Sequence, residues 1–277
     1  MIIVRIIGGL GNQLFQYALG QSLALKNNTE LRLDISEFKT YKRHQYCLSY
    51  FNIKDSVATK GDVLKLRLLS YFSFLNLRYK ATFVQESSSF DPKIINLPDN
   101  TYLSGYWQSE KYFKEIENII KQDITLKTPA SPEYNSLRTK INNINSVSLH
   151  IRRTDYFTIG LKVFEPISID YYQRAVAEIS RQTGALELFV FSDDIEWVKQ
   201  NLKISFPTTF VSGNNLKNYE ELMLMSACKH NITANSTFSW WGAWLNSNPK
   251  KIVITPRRWF IDPSREKDVI PEFWIRI

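Results

Sequence analysis

After residue 145 the chain alternates short apolar runs with longer amphipathic ones, and no other feature restricts its fold as tightly. Strands are predicted at 147–151, 186–192, 208–212, 231–234 and 252–255, and helices at 169–182, 195–202, 219–228 and 236–245. Parallel strands need a long crossover to bring the chain back to the same end of the sheet, and that crossover is nearly always right-handed. The pattern therefore implies a parallel sheet with helices on both faces, a Rossmann-like half.

The opening follows the same rule. Residues 2–7 read as a buried strand, Gly8-Gly9-Leu10-Gly11 as a turn, and 12–25 as a helix with an apolar face that includes Leu14, Phe15, Ala18 and Leu19. Further strands cover 31–33, ending at Asp34, and 101–105, and 110–120 read as a helix. The pattern loosens between 40 and 98. Within it, 63–80 mixes basic and aromatic residues, as expected of a helix buried in the domain or of an amphipathic one lying on an anionic membrane. Prolines and small residues at 127–132 begin a connection, and the boundary is placed near residue 145, giving domains 1–145 and 146–277.

With 277 residues and 44% hydrophobic content, the chain is long enough and apolar enough to bury two cores. Its net charge of +8 calls for an anionic partner: nucleic acid, a membrane surface or a phosphorylated small molecule. No RNA- or DNA-binding motif accompanies the charge, so nucleic acid is the least expected of these. Cys47 and Cys228 are too few and too far apart for a disulfide framework. His44, His150 and His230 form no zinc-binding pattern, and no Asp-x-Asp triplet offers a divalent ion a place on a nucleotide diphosphate, so no metal is expected. The first residues lack the pattern of a signal peptide, and no uninterrupted apolar stretch is long enough to span a bilayer. A cytoplasmic location is expected, with peripheral contact at the inner membrane face left open.

The chemistry-bearing residues cluster at predicted strand ends, where open α/β sheets bind ligands. His150-Ile151-Arg152-Arg153-Thr154-Asp155-Tyr156 carries two guanidiniums just beyond a strand, matched in shape to phosphate oxygens. Asp155 either takes a proton from an acceptor hydroxyl or holds one of the arginines. Asp193 and Asp194 either accept from a ribose hydroxyl or cap the following helix. Glu220 and Glu221 complement a helix dipole, or one of them accepts the two adjacent N–H groups of guanine. Asn235, Ser236, Thr237 and Phe238 lie at a helix N-terminus that suits a phosphate, and Trp240-Trp241 reads as core. Asn12 and Gln13, after the glycine turn, either cap their helix or bind sugar hydroxyls.

Three of these segments, taken in order, resemble glycosyltransferase family 11, the α-1,2-fucosyltransferases. They are Gly-Gly-Leu-Gly-Asn-Gln-Leu-Phe-Gln-Tyr from Gly8, His-x-Arg-Arg-x-Asp-Tyr from His150, and His-Asn-Ile-Thr-Ala-Asn-Ser-Thr-Phe-Ser-Trp-Trp-Gly-Ala-Trp-Leu from His230. The resemblance implies an α/β GT-B fold of two facing Rossmann-like domains, the second binding GDP-β-L-fucose and the first shaping the acceptor site. It implies a metal-independent, inverting transfer to the 2-hydroxyl of a terminal β-galactoside, and the positive charge fits a lipid-linked oligosaccharide acceptor at the cytoplasmic face of a membrane. Arg152 then resembles the arginine on the donor diphosphate with Arg153 beside it, Glu221 the carboxylate that reads guanine, Ser236 and Thr237 further phosphate donors, and Asn12 an asparagine near the reacting sugar. His150, Asp193, Asp194, Asn235 and Phe238 complete the expected donor site, and Gln13 joins Asn12 on the acceptor side. Arg152, Asp155 and Asn12 are the catalytic candidates.

Overall fold

The computed structural model describes residues 1–41, 43–54, 56–73, 82–85, 89–127, 129–153, 163–213 and 215–277, with side chains of 70–73 left aside. The chain forms two compact units: 1–128 with 267–269, and 129–266 with 270–277.

The first unit is built on a four-stranded sheet of β1 (Ile2–Arg5), β2 (Leu31–Asp34), β3 (Thr82–Gln85) and β4 (Thr101–Ser104), all parallel, in the order β2-β1-β4-β3. β1 lies between two neighbours, and its Ile2, Ile3 and Val4 have no exposed surface, as a parallel strand covered on both faces requires. Helix α1 (Leu10–Lys26) follows the glycine turn and packs tightly on the sheet. A Cβ on Gly20 would lie 2.5 Å from Val4 Cγ2 and 2.7 Å from Leu31 Cδ1. Helix α2 (Lys60–Ser73) buries Leu66 against Ile3 and Tyr102. It is thus a helix of the domain, although Leu64 and Leu68 stay exposed on its outer side. The remainder of the 63–80 segment, from 74 on, lies outside the described residues.

The predicted helix at 110–120 is not continuous. Glu110–Tyr112 and Lys114–Ile116 are single 3₁₀ turns, and α3 covers only Glu117–Asp123. The break falls at Phe113 (φ −141°), where two consecutive aromatics both turn inward: Tyr112 edge-on to Trp107, and Phe113 against Phe15. Tertiary packing has overridden a locally helical sequence.

The division between units also falls earlier than residue 145. Helix α4 (Pro132–Asn142), started by a Ser131 cap and a proline in its first turn, belongs to the second unit and buries Tyr134, Leu137 and Ile141. Its start is fixed there by the Ser131 N–H, which donates to Glu220 Oε1 at 2.7 Å. Only one apolar residue per turn marks this helix, so the sequence reads as a connection.

The second unit carries six parallel strands: β5 (Ser146–Ile151), β6 (Glu187–Ser192), β7 (Thr208–Phe210), β8 (His230–Ile232), β9 (Val253–Thr255) and β10 (Ile275–Arg276). Their order is β10-β9-β8-β5-β6-β7. Helices α5 (Ile169–Thr183), α6 (Ile195–Asn201), α7 (Asn218–Ala227) and α8 (Thr237–Leu245) make the crossovers. A buried chain of polar groups joins β5, β8 and the end of α8: Asn231 Nδ2 donates to Ser148 Oγ at 2.7 Å, and Asn246 Nδ2 to Asn231 Oδ1 at 2.7 Å. Trp240, Trp241, Trp244 and Trp274 form one aromatic cluster, as core packing predicts for the Trp pair.

Helices α7 and α8 approach closely because residue 242 has no side chain. A Cβ there would stand 2.7 Å from Met225 Cβ. Gly242→Ala is therefore expected to lower stability by about 1–3 kcal/mol through overpacking, despite alanine's better helix propensity. Denaturant titration checks this, and an unchanged or raised midpoint would show that the two helices can separate without cost.

Candidate functional site

Both sheets contain a point where the chain reverses its direction of strand addition. In the second, β6 and β7 extend the sheet on one side of β5 and β8 begins on the other. Ligands of open α/β sheets bind outside the carboxyl ends of the strands at such a switch point. The switch point between β5 and β8 gathers most of the sequence-predicted donor residues.

His150 is the fifth residue of β5 and is 4% exposed. Its ring packs on Phe238, with centroids 5.7 Å apart, and its buried Nδ1 has no hydrogen-bond partner among the described residues. Burial, reinforced by the charge of Arg152, pushes the imidazole down to about 3, against a smaller opposing effect from Asp193. His150 is thus a neutral ring with an unsatisfied nitrogen at the strand tip.

The strand register explains the charges beyond it. Ile151 pairs with Ser192, so the next residues on each strand meet one to one. Arg152 Nε lies 3.2 Å from Asp193 Oδ2, and Arg153 Nε 3.4 Å from Asp194 Oδ2. Asp193 also accepts the Arg153 N–H at 2.8 Å, while Asp194 caps α6 by accepting from Trp197 N–H. The two aspartates therefore position the arginines and a helix. Arg153 is held further by Trp197, whose ring centroid lies 3.3 Å from the guanidinium carbon. Asp155 lies outside the described residues.

From β8 the chain enters α8 through Asn235 and Ser236. Asn235 does not present its amide outward: Nδ2 donates to the carbonyls of Glu165 (2.7 Å) and Trp259 (3.0 Å). Through these two bonds its amide nitrogen fixes the loop. Ser236 at the N-cap is extended and makes no side-chain cap bond. Beside it Thr237 and Phe238 form the first turn of α8, whose N–H groups and dipole favour an anion.

The acidic pair on α7 divides its work. Glu220 is buried and accepts from Lys217 N–H at 3.0 Å and Ser131 N–H at 2.7 Å, completing the helix start. Glu221 is only partly buried by surface area, yet burial pushes its carboxyl up to about 7, opposed by a hydrogen bond from Ser212. Of the two, Glu221 has the smaller structural commitment. Among the described residues no group of three His, Cys, Asp or Glu is arranged to hold a metal ion, and no helix is long and apolar enough to cross a membrane.

In the first unit, Gly8 takes φ +77°, and a Cβ on it would meet Asn12 Nδ2 at 2.9 Å. Asn12 Oδ1 accepts from Gln108 Nε2 at 3.0 Å. Gln13, expected on the acceptor side, has both ends of its amide committed to backbone groups. It is wholly buried, donating to the carbonyls of Gly8 (2.9 Å) and Gln45 (2.8 Å) and accepting from Cys47 N–H (2.9 Å). Gln16 works in the same way, accepting from Ile7 N–H and donating to Gly105 C=O, both at 2.9 Å. Sequence reasoning missed Gln16, Gln108, Trp197 and Ser212. A glutamine on the buried face of α1 was the available signal for the first. The others depend on contacts between residues distant in sequence.

Two α/β units, each on a parallel sheet, have the architecture of the GT-B fold, and the comparisons with known proteins give the class of protein as a glycosyltransferase. The model of glycosyl transferase family 11 matches residues 1–277, and the chain belongs to that family. An α-1,2-colitosyltransferase of Escherichia coli is 34% identical over 100% of this chain and 99% of its own. The O-antigen biosynthesis glycosyltransferase WbnK, also of Escherichia coli, is 30% identical over 98% of each chain. The galactoside α-(1,2)-fucosyltransferase 2 of Oryctolagus cuniculus is 22% identical over 87% of this chain and 66% of its own. Among solved structures, Arabidopsis thaliana FUT1 in complex with GDP shares the fold at TM-score 0.55, with 11% identity over 91% of this chain and 69% of that one.

Proposed function

We propose that this glycosyltransferase moves L-fucose from GDP-β-L-fucose to the 2-hydroxyl of a terminal β-galactoside, with inversion and without a metal ion. What carries the reading is the β5–β8 switch point, where Arg152, oriented by Asp193, shares a strand end with the unsatisfied His150 and the start of α8. As the bond from the sugar C1 to the β-phosphate oxygen breaks, its electron pair stays on that oxygen. Arg152 and the α8 N–H groups stabilise the charge more in the transition state than in the ground state. The acceptor 2-hydroxyl forms the new bond to C1 from the opposite face, giving the α-linkage. Its proton leaves to Asp155 or to the departing diphosphate. The kinship with WbnK, whose name places it in O-antigen biosynthesis, supports a role in surface polysaccharide synthesis on a lipid-linked acceptor.

The 34% identity to a colitosyltransferase favours a second donor, GDP-colitose, whose sugar is L-fucose without its 3-hydroxyl. An assay of GDP release with both donors, in EDTA, over a panel of β-galactosides and with linkage analysis of the product, tests both readings. A 1,2-linked fucoside is expected. Turnover with GDP-colitose alone would move the assignment to the second donor, and a strict requirement for added divalent metal would overturn the metal-free mechanism.

Glu221 gives this reading a pH signature. A carboxylate accepts both N–H groups of the guanine edge only when ionised. With its carboxyl pushed up to about 7, the free protein loses that form as pH falls. GDP affinity is expected to drop about tenfold between pH 8 and pH 6 through this group, one pH unit on each side of its midpoint. Glu221→Gln should remove that component and bind GDP weakly at both pH values. Identical pH profiles for the two proteins, measured by calorimetry, would assign the base to another residue.

A further inference from the structure

Two buried serines join the carboxyl ends of β6 and β7 to the first turn of α7. The strands pair in register up to Val190 and Phe210, and the Val211 N–H extends the ladder by donating to the Val190 carbonyl at 2.8 Å. Beyond that point side chains take over from the main chain. The Ser192 N–H donates to Ser212 Oγ at 3.0 Å, and the Asp194 N–H donates to Ser192 Oγ at 3.0 Å. Both serines are 8% exposed, and Gly213 at φ +91° turns the chain away directly after Ser212. Ser212 is therefore fixed against the sheet, with one lone pair of its hydroxyl already used.

Its proton has a separate use. A serine hydroxyl carries a single donor, and Ser212 gives it to the Glu221 carboxylate. A carboxylate has about four lone-pair positions, so this bond leaves enough to accept two further N–H groups. We propose that Ser212 is the positioning residue of the base contact: it holds one oxygen of Glu221 and thereby presents the carboxylate to the adjacent N–H groups of guanine. This role rests on the GDP reading of the site.

Because the bond is made to the ionised form, Ser212 also sets the pH at which the base is read. Burial pushes the Glu221 carboxyl up, the Ser212 hydroxyl pulls it down, and no other group among the described residues acts on it. Lys217 and Glu220, its charged neighbours on α7, act on one another. Of the helices packed on α7, α8 carries no ionisable residue, and Glu133, Tyr134, Arg138 and Lys140 of α4 leave Glu221 unaffected. Asp193 and Asp194, beyond β6, are engaged by the arginines and by α6. Without the hydroxyl, burial acts unopposed, so the carboxyl rises further above about 7 and ionises only at higher pH.

Calorimetric titration of Ser212→Ala with GDP from pH 6 to pH 8.5 tests the proposal. The midpoint of its pH dependence is expected about one pH unit above that of the wild type, with binding about fivefold weaker at pH 7 and within about twofold at pH 8.5. Ser212→Thr keeps the hydroxyl and should keep the wild-type midpoint. Ser212→Cys is close in size and a weak donor, so its midpoint should rise as well, which leaves a shift to measure even where Ser212→Ala does not fold. An unshifted midpoint in the alanine and cysteine variants would overturn the proposal, as would a loss equal at every pH, the result of a serine that only supports the fold. If Glu221→Gln binds GDP as tightly as the wild type, the base reading fails and the proposed role fails with it. Carbon-13 NMR of the Glu221 carboxyl in the free proteins tells the two failures apart: a midpoint raised by Ser212→Ala keeps the serine's hold on Glu221, and an unmoved one removes that too.

Discussion

Arg152→Ala is expected to lower turnover by about 100-fold or more, the usual cost of removing one fixed donor to a charge that develops in the transition state. The side chain is well placed for such a loss. It stands one residue beyond β5, and its Nε is held by Asp193, which descends from the strand paired in register beside it. Arg152→Lys should fail as well, since an ammonium cannot reproduce a planar fork held at Nε while its other nitrogens reach a phosphate. Arg153→Ala makes a useful contrast. That guanidinium is stacked on Trp197 and paired with Asp194, so its loss should appear partly as reduced stability. Steady-state kinetics alongside thermal melts distinguish the two arginines. Near-wild-type turnover in Arg152→Ala would remove the basis of the site.

The second large effect is expected in folding. Gln13→Ala leaves the buried Cys47 N–H and the carbonyls of Gly8 and Gln45 without their partner. Unsatisfied buried groups cost roughly 1–3 kcal/mol each, and part of the carbonyl loss is recovered by water, so about 2–4 kcal/mol of stability should be lost. A denaturant midpoint shifted by that amount, in a variant whose remaining folded fraction still binds GDP, would agree with a structural glutamine. Full stability with a raised acceptor KM would restore the sugar-binding role that its place beside Asn12 suggests from sequence.

Gln13 also shows how the sequence could be read and where it could not. The alternation of β5, α5, β6, α6, β7, α7, β8, α8 and β9 was legible to within a few residues because each crossover obeys two clear periods and ends in a turn. The strand-end positions of Arg152 and Asp193 and the helix-start positions of Glu221 and Thr237 followed from that alternation. What the sequence could not show was which polar side chains face inward. Asn12 and Gln13 are adjacent amides, and only the 100° between them on α1 leaves one half-buried beside Gln108 and sends the other into the core. Asn235 likewise stands in a motif that suits phosphate, yet its amide is used on two distant carbonyls. The pairing of Arg-Arg with Asp-Asp depends on the register of β5 and β6, which no local pattern encodes. α4 escaped notice because its few apolar residues are complemented by a partner helix almost ninety residues away.

Under the proposed function, the β5–β8 switch point holds guanosine diphosphate. Calorimetric titration of the wild-type protein at pH 8 with GDP, ADP, UDP and CDP, in EDTA, tests it most directly. GDP alone should bind tightly, with affinity lost in Arg152→Ala through the diphosphate and in Glu221→Gln through the base. Equal binding of all four nucleotides, or GDP binding unaffected by either substitution, would contradict it.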